Sequence, residues 1–580
     1  SVLFVVHGFP PDTWAGTEIY TQNLALELQR RGHQVTVLTR APATGDEPDF
    51  SLHEDEFQGL RVLRMTHRLA HASLSESYRQ PRAEEAFRRV LGDVAPDLVH
   101  FQHLIHTSIG LVDVARDHGL PTVITCHDYW ALCARVQLIR PDGARCDENM
   151  GAGCYLCVKE ERLELVPRAK RLGEVGSDAL LGLARDASCS SGFGPTSQRR
   201  AREYLDLRAR EELVPAAYAA CDLRISPSRF LRERYLEHGG FDAHTFLFSD
   251  NGMRTDHVRA LEKTPAQGRL RLGFVGSLAW YKGGRVLLEA MQRLTDEPVV
   301  LRLHGDFKPD EDPHHAELAA LAGDNVEFAG RFDNALLSEV YADLDVLIVP
   351  SVWVENSPIT IHEAWLTHTP VVTSDIGGMA EYVRDGVDGL HFRVGDPDDL
   401  ARVLRRLAEE PGLVEALSRD FPSVKTIADN ASEMEFRYRA LCCVDRSRAR
   451  AQLELRGHET TRREGPVERQ GADFLLLRPG GAAAEYDLGV LPAGPARLTV
   501  EVLALGAEPQ TEQGGRVLVC GAEVGRIPTF RAHGEDELRP FEFEVDLPPR
   551  ATMRLETRLE EGGPEATLRI ARIHAREGAA

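Results

Sequence analysis

Hydrophobic positions along this chain change their period twice. Val2-Leu3-Phe4-Val5-Val6 is an unbroken apolar run, the pattern of a short strand covered on both faces of a parallel sheet. A loop with Pro10, Pro11 and Gly16 follows. Tyr20, Leu24 and Leu28 then recur at every fourth position, one face of a helix that Gly32 ends. Val35, Val37 and Leu38 open the next strand and complete a strand–helix–strand unit of the doubly wound type. Asp97–Phe101 and Pro121–Thr125 extend this first series. A second series comprises Leu270–Val275, Val299–Leu303, Val326–Phe328, Val346–Val349 and Val371–Thr373, separated by helical stretches. Beyond about residue 455 the period becomes two. Leu498, Val500 and Val502 alternate with polar neighbours, as do Phe541, Phe543, Val545 and Leu547, and then Met553, Leu555 and Leu559.

The expected fold is α/β: two doubly wound, Rossmann-like domains followed by a C-terminal antiparallel β-sandwich. Residues 1–220 form the first domain, with a cysteine cluster and a charged, helical insertion over about 158–213. Residues 221–425 form the second, and 426–454 a helix crossing back to the first. A polar linker over 455–472 leads to the sandwich, of jelly-roll type, at 473–580.

Composition narrows the function classes. The 580 residues hold 68 Lys+Arg and 90 Asp+Glu, a net charge of −22, which argues against a dedicated nucleic-acid binder because phosphate backbones require basic stripes. No run approaches the roughly 18 apolar residues of a membrane span. The opening SVLFVVHGFP has no basic segment ahead of its apolar run, and its lack of Met reads as a processed or engineered start. The expected location is the cytoplasm. A basic stretch around Arg162–Arg171 is either a peripheral membrane contact or a solvated helix face. Of ten cysteines, Cys126, Cys133, Cys146, Cys154 and Cys157 fall within 32 residues. Cys133, Cys146, Cys154 and Cys157 follow C-x12-C-x7-C-x2-C, four thiolates that either hold a structural zinc or pack as reduced thiols.

Doubly wound domains bind ligands beyond the carboxyl ends of their strands, so the loops there carry the candidate chemistry. The most informative runs from Val349 through Glu355, Asn356, Ser357 and Pro358 to Glu363. Ser357-Pro358 reads as an N-cap with proline at the first helical position, and the amides near Ser357, Pro358 and Ile359 make a site for a diphosphate. Glu363 lies about 7–8 Å down the helix at 1.5 Å per residue, near the diphosphate-to-ribose spacing, where a carboxylate accepts from two hydroxyls. Glu355 lies on the other side of the phosphate position. A second strand end, Phe274-Val275-Gly276-Ser277, leads through Trp280-Tyr281 to Lys282-Gly283, where Lys282 can neutralise a leaving phosphate. Read singly, each has a plain alternative: a capped helix, a solvated lysine, a turn.

Taken in order, these segments resemble the glycosyltransferase family four enzymes of GT-B fold, over about residues 2–443, and among them a bacterial, cysteine-containing subset. The resemblance rests on Ala15-Gly16-Thr17-Glu18, Arg31-Gly32-His33-Gln34-Val35, His127-Asp128-Tyr129-Trp130, Asn251-Gly252, Gly276 to Gly283, Glu355 to Glu363, Ser374 to Gly378 with Glu381, and Met434–Cys442. It implies retaining transfer of a hexosyl group from a nucleotide-diphosphate-sugar donor to a saccharide or lipid-linked saccharide acceptor, in surface polysaccharide or glycoconjugate synthesis. Catalysis then requires no cofactor. Gly16, Gly276 and Lys282 would face the diphosphate, Glu363 the ribose, Glu355 the donor sugar and His127 the reacting region. Many members carry Arg where this chain has Ser277, so that charge is missing or supplied by Arg254 or Arg331.

Two rival readings stay open: a nucleotide-sugar epimerase of the same fold, and a catalytically silent sugar-binding or assembly subunit. His100, His103 and His106 at a strand end read as acceptor-side loop residues rather than metal ligands. Trp14, Trp130, Trp280 and Trp353 all fall in the motif loops, which suits either stacking on a sugar or loop packing.

Overall fold

The structure, a computed structural model, describes residues 1–146, 152–160, 195–264 and 268–442 in full, and beyond 442 the backbone of the strands alone. The chain divides into two compact units, Ser1–Glu435 and Phe436–Ala580.

The first unit has two lobes, each built on one sheet. The amino-terminal sheet comprises β1 (Val2–Val6), β2 (Val35–Ala41), β3 (Leu52–Phe57), β4 (Leu60–Thr66), β5 (Leu98–Phe101), β6 (Thr122–Thr125), β7 (Leu223–Ser226) and β8 (Phe246–Phe248). Their order is β3-β4-β2-β1-β5-β6-β7-β8, parallel throughout except for the β3–β4 hairpin. The carboxyl-terminal sheet comprises β9 (Leu270–Val275), β10 (Val299–His304), β11 (Val326–Phe328), β12 (Val346–Val349), β13 (Val371–Ser374) and β14 (Gly389–Phe392). It is wholly parallel in the order β11-β10-β9-β12-β13-β14.

The expected pattern accounts for most of this. All five residues of β1 are buried, as a strand covered on both faces requires, and the helix Gly16–Arg30 lays Tyr20, Leu24 and Leu28 against the sheet. Each such leucine contributes about 2 kcal/mol of apolar burial. In the carboxyl-terminal lobe the Asp396 side chain accepts from the amides of Asp398 and Asp399 and starts the helix Pro397–Glu409.

Two expected boundaries are corrected. The first domain does not end at residue 220: β7 pairs with β6 and β8 with β7, so the amino-terminal sheet runs on to Phe248. The helix Pro195–Ala219 leads into β7 and packs near the rest of this lobe, with Leu207 and Val214 buried. Nor is 455–472 only a linker, since Leu453–Arg456, Arg462–Glu464 and Val467–Gln470 are strands. Arg462–Glu464 and Val467–Gln470 lack hydrophobic contrast and Leu453–Arg456 alternates over only four residues, so backbone pairing is what reveals them.

The second unit contains, among its described residues, two antiparallel sheets of six and five strands. The strands Gly494–Leu505 and Arg539–Leu547 cover the first two segments with period two, and Thr552–Thr557 holds Met553 and Leu555, while Leu559 lies outside the described residues. The helix Ile427–Cys442 occupies the expected crossover segment.

Candidate functional site

The sheet orders bring the chemistry to two facing rims. In the carboxyl-terminal lobe the loops after β9, β10 and β11 lie side by side: the Gly276 amide donates to His304 O and the Gly305 amide to Gly330 O, both at 3.0 Å. Lys282 ends a short turn, Trp280–Lys282. Gly283 follows at φ +78°, and a Cβ there would stand 1.9 Å from Pro350 O, so only glycine lets this turn sit against the loop after β12. Lys282 Nζ lies 2.6 Å from Glu355 Oε1, and Ser351 Oγ donates to the same oxygen at 2.7 Å. Glu355 is buried while Lys282 is partly exposed, so the pair has one face toward solvent.

The helix Ile359–Leu366 begins beside this pair. Pro358 takes the N-cap position and no side chain caps the helix. The expected Ser357 cap is thus corrected: the helix starts one residue later, with Pro358 at the cap, and the Ser357 hydroxyl is turned to donate to Asp250 Oδ1 at 3.1 Å. The Ile361 amide donates to Pro358 O at 3.1 Å, and the amides of Ile359 and Thr360 are left for another anion. Farther down, Glu363 Oε2 accepts from Tyr341 OH at 3.0 Å, and burial lifts the Glu363 carboxyl to about 7.

Asp250, read in sequence only as part of a turn, is a hub. It accepts from Ser357, from Tyr382 OH at 2.7 Å and from His362 Nε2 at 3.0 Å. Burial opposes its ionisation, but His362 and these hydrogen bonds hold it below the usual carboxylate range. Asn430 Nδ2 reaches Asp250 O at 3.4 Å, and Asn430 Oδ1 accepts from Tyr20 OH at 3.0 Å.

The amino-terminal rim is a row of histidines. Because β1, β5 and β6 are neighbours, His7, His103 and the pair His127-Asp128 meet at their carboxyl ends. His103 Nε2 is 2.9 Å from Asp128 Oδ2, the His7 and His103 rings lie 4.7 Å apart, and His7 Nε2 is 3.5 Å from Glu18 Oε1. His127 Nε2 lies 2.8 Å from Gln102 Oε1. Burial pushes His127 and His100 each down to about 3 and His106 to about 4, so these rings stay neutral at pH 7. Burial likewise raises the Glu18 carboxyl.

The two rims touch. Asn356 Nδ2 donates to Cys126 O at 3.4 Å and His127 O at 3.3 Å, while Ser228 Oγ donates to Asn356 Oδ1. A Cβ on Gly16 would lie 3.6 Å from Ile359 Cδ1, so the glycine turn faces the open helix start. Glu381 accepts from the amides of Arg229 and Phe230 at 2.9 and 2.8 Å. The structure therefore brings Gly16 against Ile359, Lys282 against Glu355 and His127 against Asn356, with Ser357, Pro358 and Glu363 on the same loop and helix. Sequence reasoning missed Gln102, Tyr341 and Tyr382, which carry no motif; Asn356 stood inside a quoted segment with no role assigned.

Other expectations fare differently. Arg331 is exposed on the loop after β11, and Arg254 is tied to Asp256 at 3.2 Å. Cys133, Cys146, Cys154 and Cys157 form no metal-binding group: among the described residues no three His, Cys, Asp or Glu side chains converge to hold an ion. Burial raises the Cys133 thiol. The stretch Arg162–Arg171 lies outside the described residues. Among those described, no helix is long and apolar enough to cross a membrane.

Residues 269–410 match the family model described as Glycosyl transferases group 1, and residues 14–149 match Glycosyltransferase Family 4. The chain is similar to a D-inositol 3-phosphate glycosyltransferase of Geodermatophilus obscurus, 30% identical over 255 residues, or 41% of this chain and 55% of that protein. It is also similar to the 2-deoxystreptamine glucosyltransferase of Streptomyces kanamyceticus, 32% identical over 152 residues, or 26% and 39% of the two chains. Among solved structures, sucrose-phosphate synthase of Thermosynechococcus elongatus is similar with a TM-score of 0.49 and 18% identity, over 76% of this chain and 96% of that one. The chain spans about half or less of the length of these curated relatives. Each lobe of the first unit thus holds a segment matched by a glycosyltransferase family model, family four in the amino-terminal lobe and group 1 in the carboxyl-terminal lobe.

Proposed function

We propose that this chain is a retaining glycosyltransferase that moves a hexosyl group from a nucleotide-diphosphate-sugar donor to an acceptor hydroxyl. One observation carries the reading: a Lys282–Glu355 pair, open on one face, beside a helix start that no side chain caps. The arrangement suits a departing diphosphate. As the bond from sugar carbon to phosphate oxygen breaks, its electron pair goes to the diphosphate, where Lys282 and the amides near Ser357, Pro358 and Ile359 stabilise the charge. The acceptor oxygen forms its bond on the face the phosphate leaves, and its proton passes to a phosphate oxygen. Gly16 and Gly276 let backbone approach the diphosphate, Glu363 accepts from ribose hydroxyls, and Arg331 supplies an outer positive charge. Glu355 and His127 hold the sugar. No metal or cofactor is assigned a role.

The acceptor is a saccharide, free or lipid-linked, in polysaccharide or glycoconjugate synthesis, and the chain works in the cytoplasm, at the inner membrane face where the acceptor is lipid-linked. The two sheets of the second unit are read as a β-sandwich accessory module. The test is calorimetric titration with UDP, GDP, ADP and their common sugar conjugates. Micromolar binding of one series, lost in Glu363→Ala, is the expected result; no binding across the panel overturns the reading.

A further inference from the structure

We propose that Gln102 is a positioning residue that fixes the tautomer of His127, so that the ring presents Nδ1 as a hydrogen-bond acceptor to a hydroxyl of the bound sugar. This rests on the reading above for its ligand, but not for its chemistry. Gln102 follows β5 at no exposure, its backbone amide held by Val5 O at 2.7 Å. Its carbonyl oxygen stands 2.8 Å from His127 Nε2. A carbonyl only accepts, so Nε2 carries the ring proton and Nδ1 keeps its lone pair. The ring is partly exposed, and among the described residues no protein group bonds its Nδ1.

The backbone of the same residue is held from the other lobe, where Asn356 donates to His127 O. The groups that face the ring are Tyr20, whose ring lies 5.4 Å away, and His103, Asp128, His100 and His7, which act on it through space and form no hydrogen bond with its Nδ1 among the described residues. One cost marks Gln102 as more than packing: its amide nitrogen is buried with no partner. Such a group in a folded protein calls for a reason beyond stability. An apolar side chain of similar length would avoid that cost and release the ring. The ligand class that follows is a sugar whose hydroxyl donates at this point; a deoxy sugar lacking that hydroxyl leaves Nδ1 unpaired.

The test is nitrogen-15 NMR of the full chain labelled at histidine, with His127→Asn to assign the signal among 22 histidines. The expected result is an Nε2–H pattern for His127. In Gln102→Glu, a carboxylate facing the ring raises its titration above that of the native chain, and in Gln102→Met the two tautomers mix. Nδ1–H in the native chain, or identical spectra in all three, overturns the proposal. A second arm measures affinity for the panel of nucleotides and nucleotide sugars. Gln102→Met is expected to keep nucleotide affinity and to lose on the order of tenfold for the sugar conjugate, the worth of one hydrogen bond. Equal losses for both mean a merely structural role and also overturn it. Failure of every nucleotide to bind sinks the transferase reading, while the NMR still decides the role of Gln102.

Discussion

The two lobes offer opposite chemistry at equivalent ends of their sheets. The amino-terminal rim presents imidazoles, of which His100, His106 and His127 are kept neutral by burial, with His103 set against Asp128 and His127 against Gln102. The carboxyl-terminal rim presents an ammonium–carboxylate pair, an open helix start and a carboxyl lifted to about 7. One side suits neutral hydroxyls and the other a phosphate charge. The same doubly wound plan thus supplies two kinds of ligand surface, and the loop residues alone decide which.

The sharpest test of that division is Lys282→Met. Turnover should fall about 100- to 1000-fold, the usual cost of removing one group aimed at transition-state charge, and steady-state rates read it. A loss no greater than that of His127→Asn would break the contrast between the rims. Next in size is Asn356→Ala, which removes the bonds joining them. Thermal unfolding should show a loss of about 1–3 kcal/mol, because two carbonyls and the Ser228 hydroxyl lose their partner.

Glu363 should impose a pH dependence. Its folded pKa of about 7 lies above the ordinary 4.5, so the fold favours the protonated form. Stability from that preference is complete below pH 4.5 and is lost as pH rises through about 7. Glu363→Gln should therefore gain stability over the native chain at pH 8 and match it near pH 4.5, as denaturant titration would record. Nucleotide affinity should move the other way. It should rise by about tenfold between pH 6 and 8 as the carboxylate forms to accept ribose hydroxyls, and stay flat in Glu363→Gln. Arg331→Ala should have the smallest effect, about a twofold loss of nucleotide affinity by calorimetry, since an exposed charge is screened.

The elements with strong hydrophobic contrast were legible: β1, β9 and β12 stand where apolar runs predict them. So was the glutamate spacing, because it lies within one loop and helix. The contacts of Asp250 were not, since its partners Ser357, His362 and Tyr382 lie more than a hundred residues away. Gln102 escaped for a similar reason: its importance comes from β5 lying beside β6, a fact of topology. Arg462–Glu464 and Val467–Gln470 lacked the alternation that marks a buried face, Leu453–Arg456 alternates over only four residues, and the cysteine spacing matched a metal site without the convergence among the described residues that would make one.

Asn356 sits next to Glu355 in the chain, yet its side chain holds the carbonyl of His127 across the cleft. On the proposed reading, widening the gap between the lobes to exchange nucleotide would part Glu355 and His127 in the same motion. Lobe position and reactive geometry become a single variable. If the chain transfers sugar as proposed, an open molecule would be chemically idle for that interval, which would keep an activated sugar from being spent on water while the acceptor side is empty.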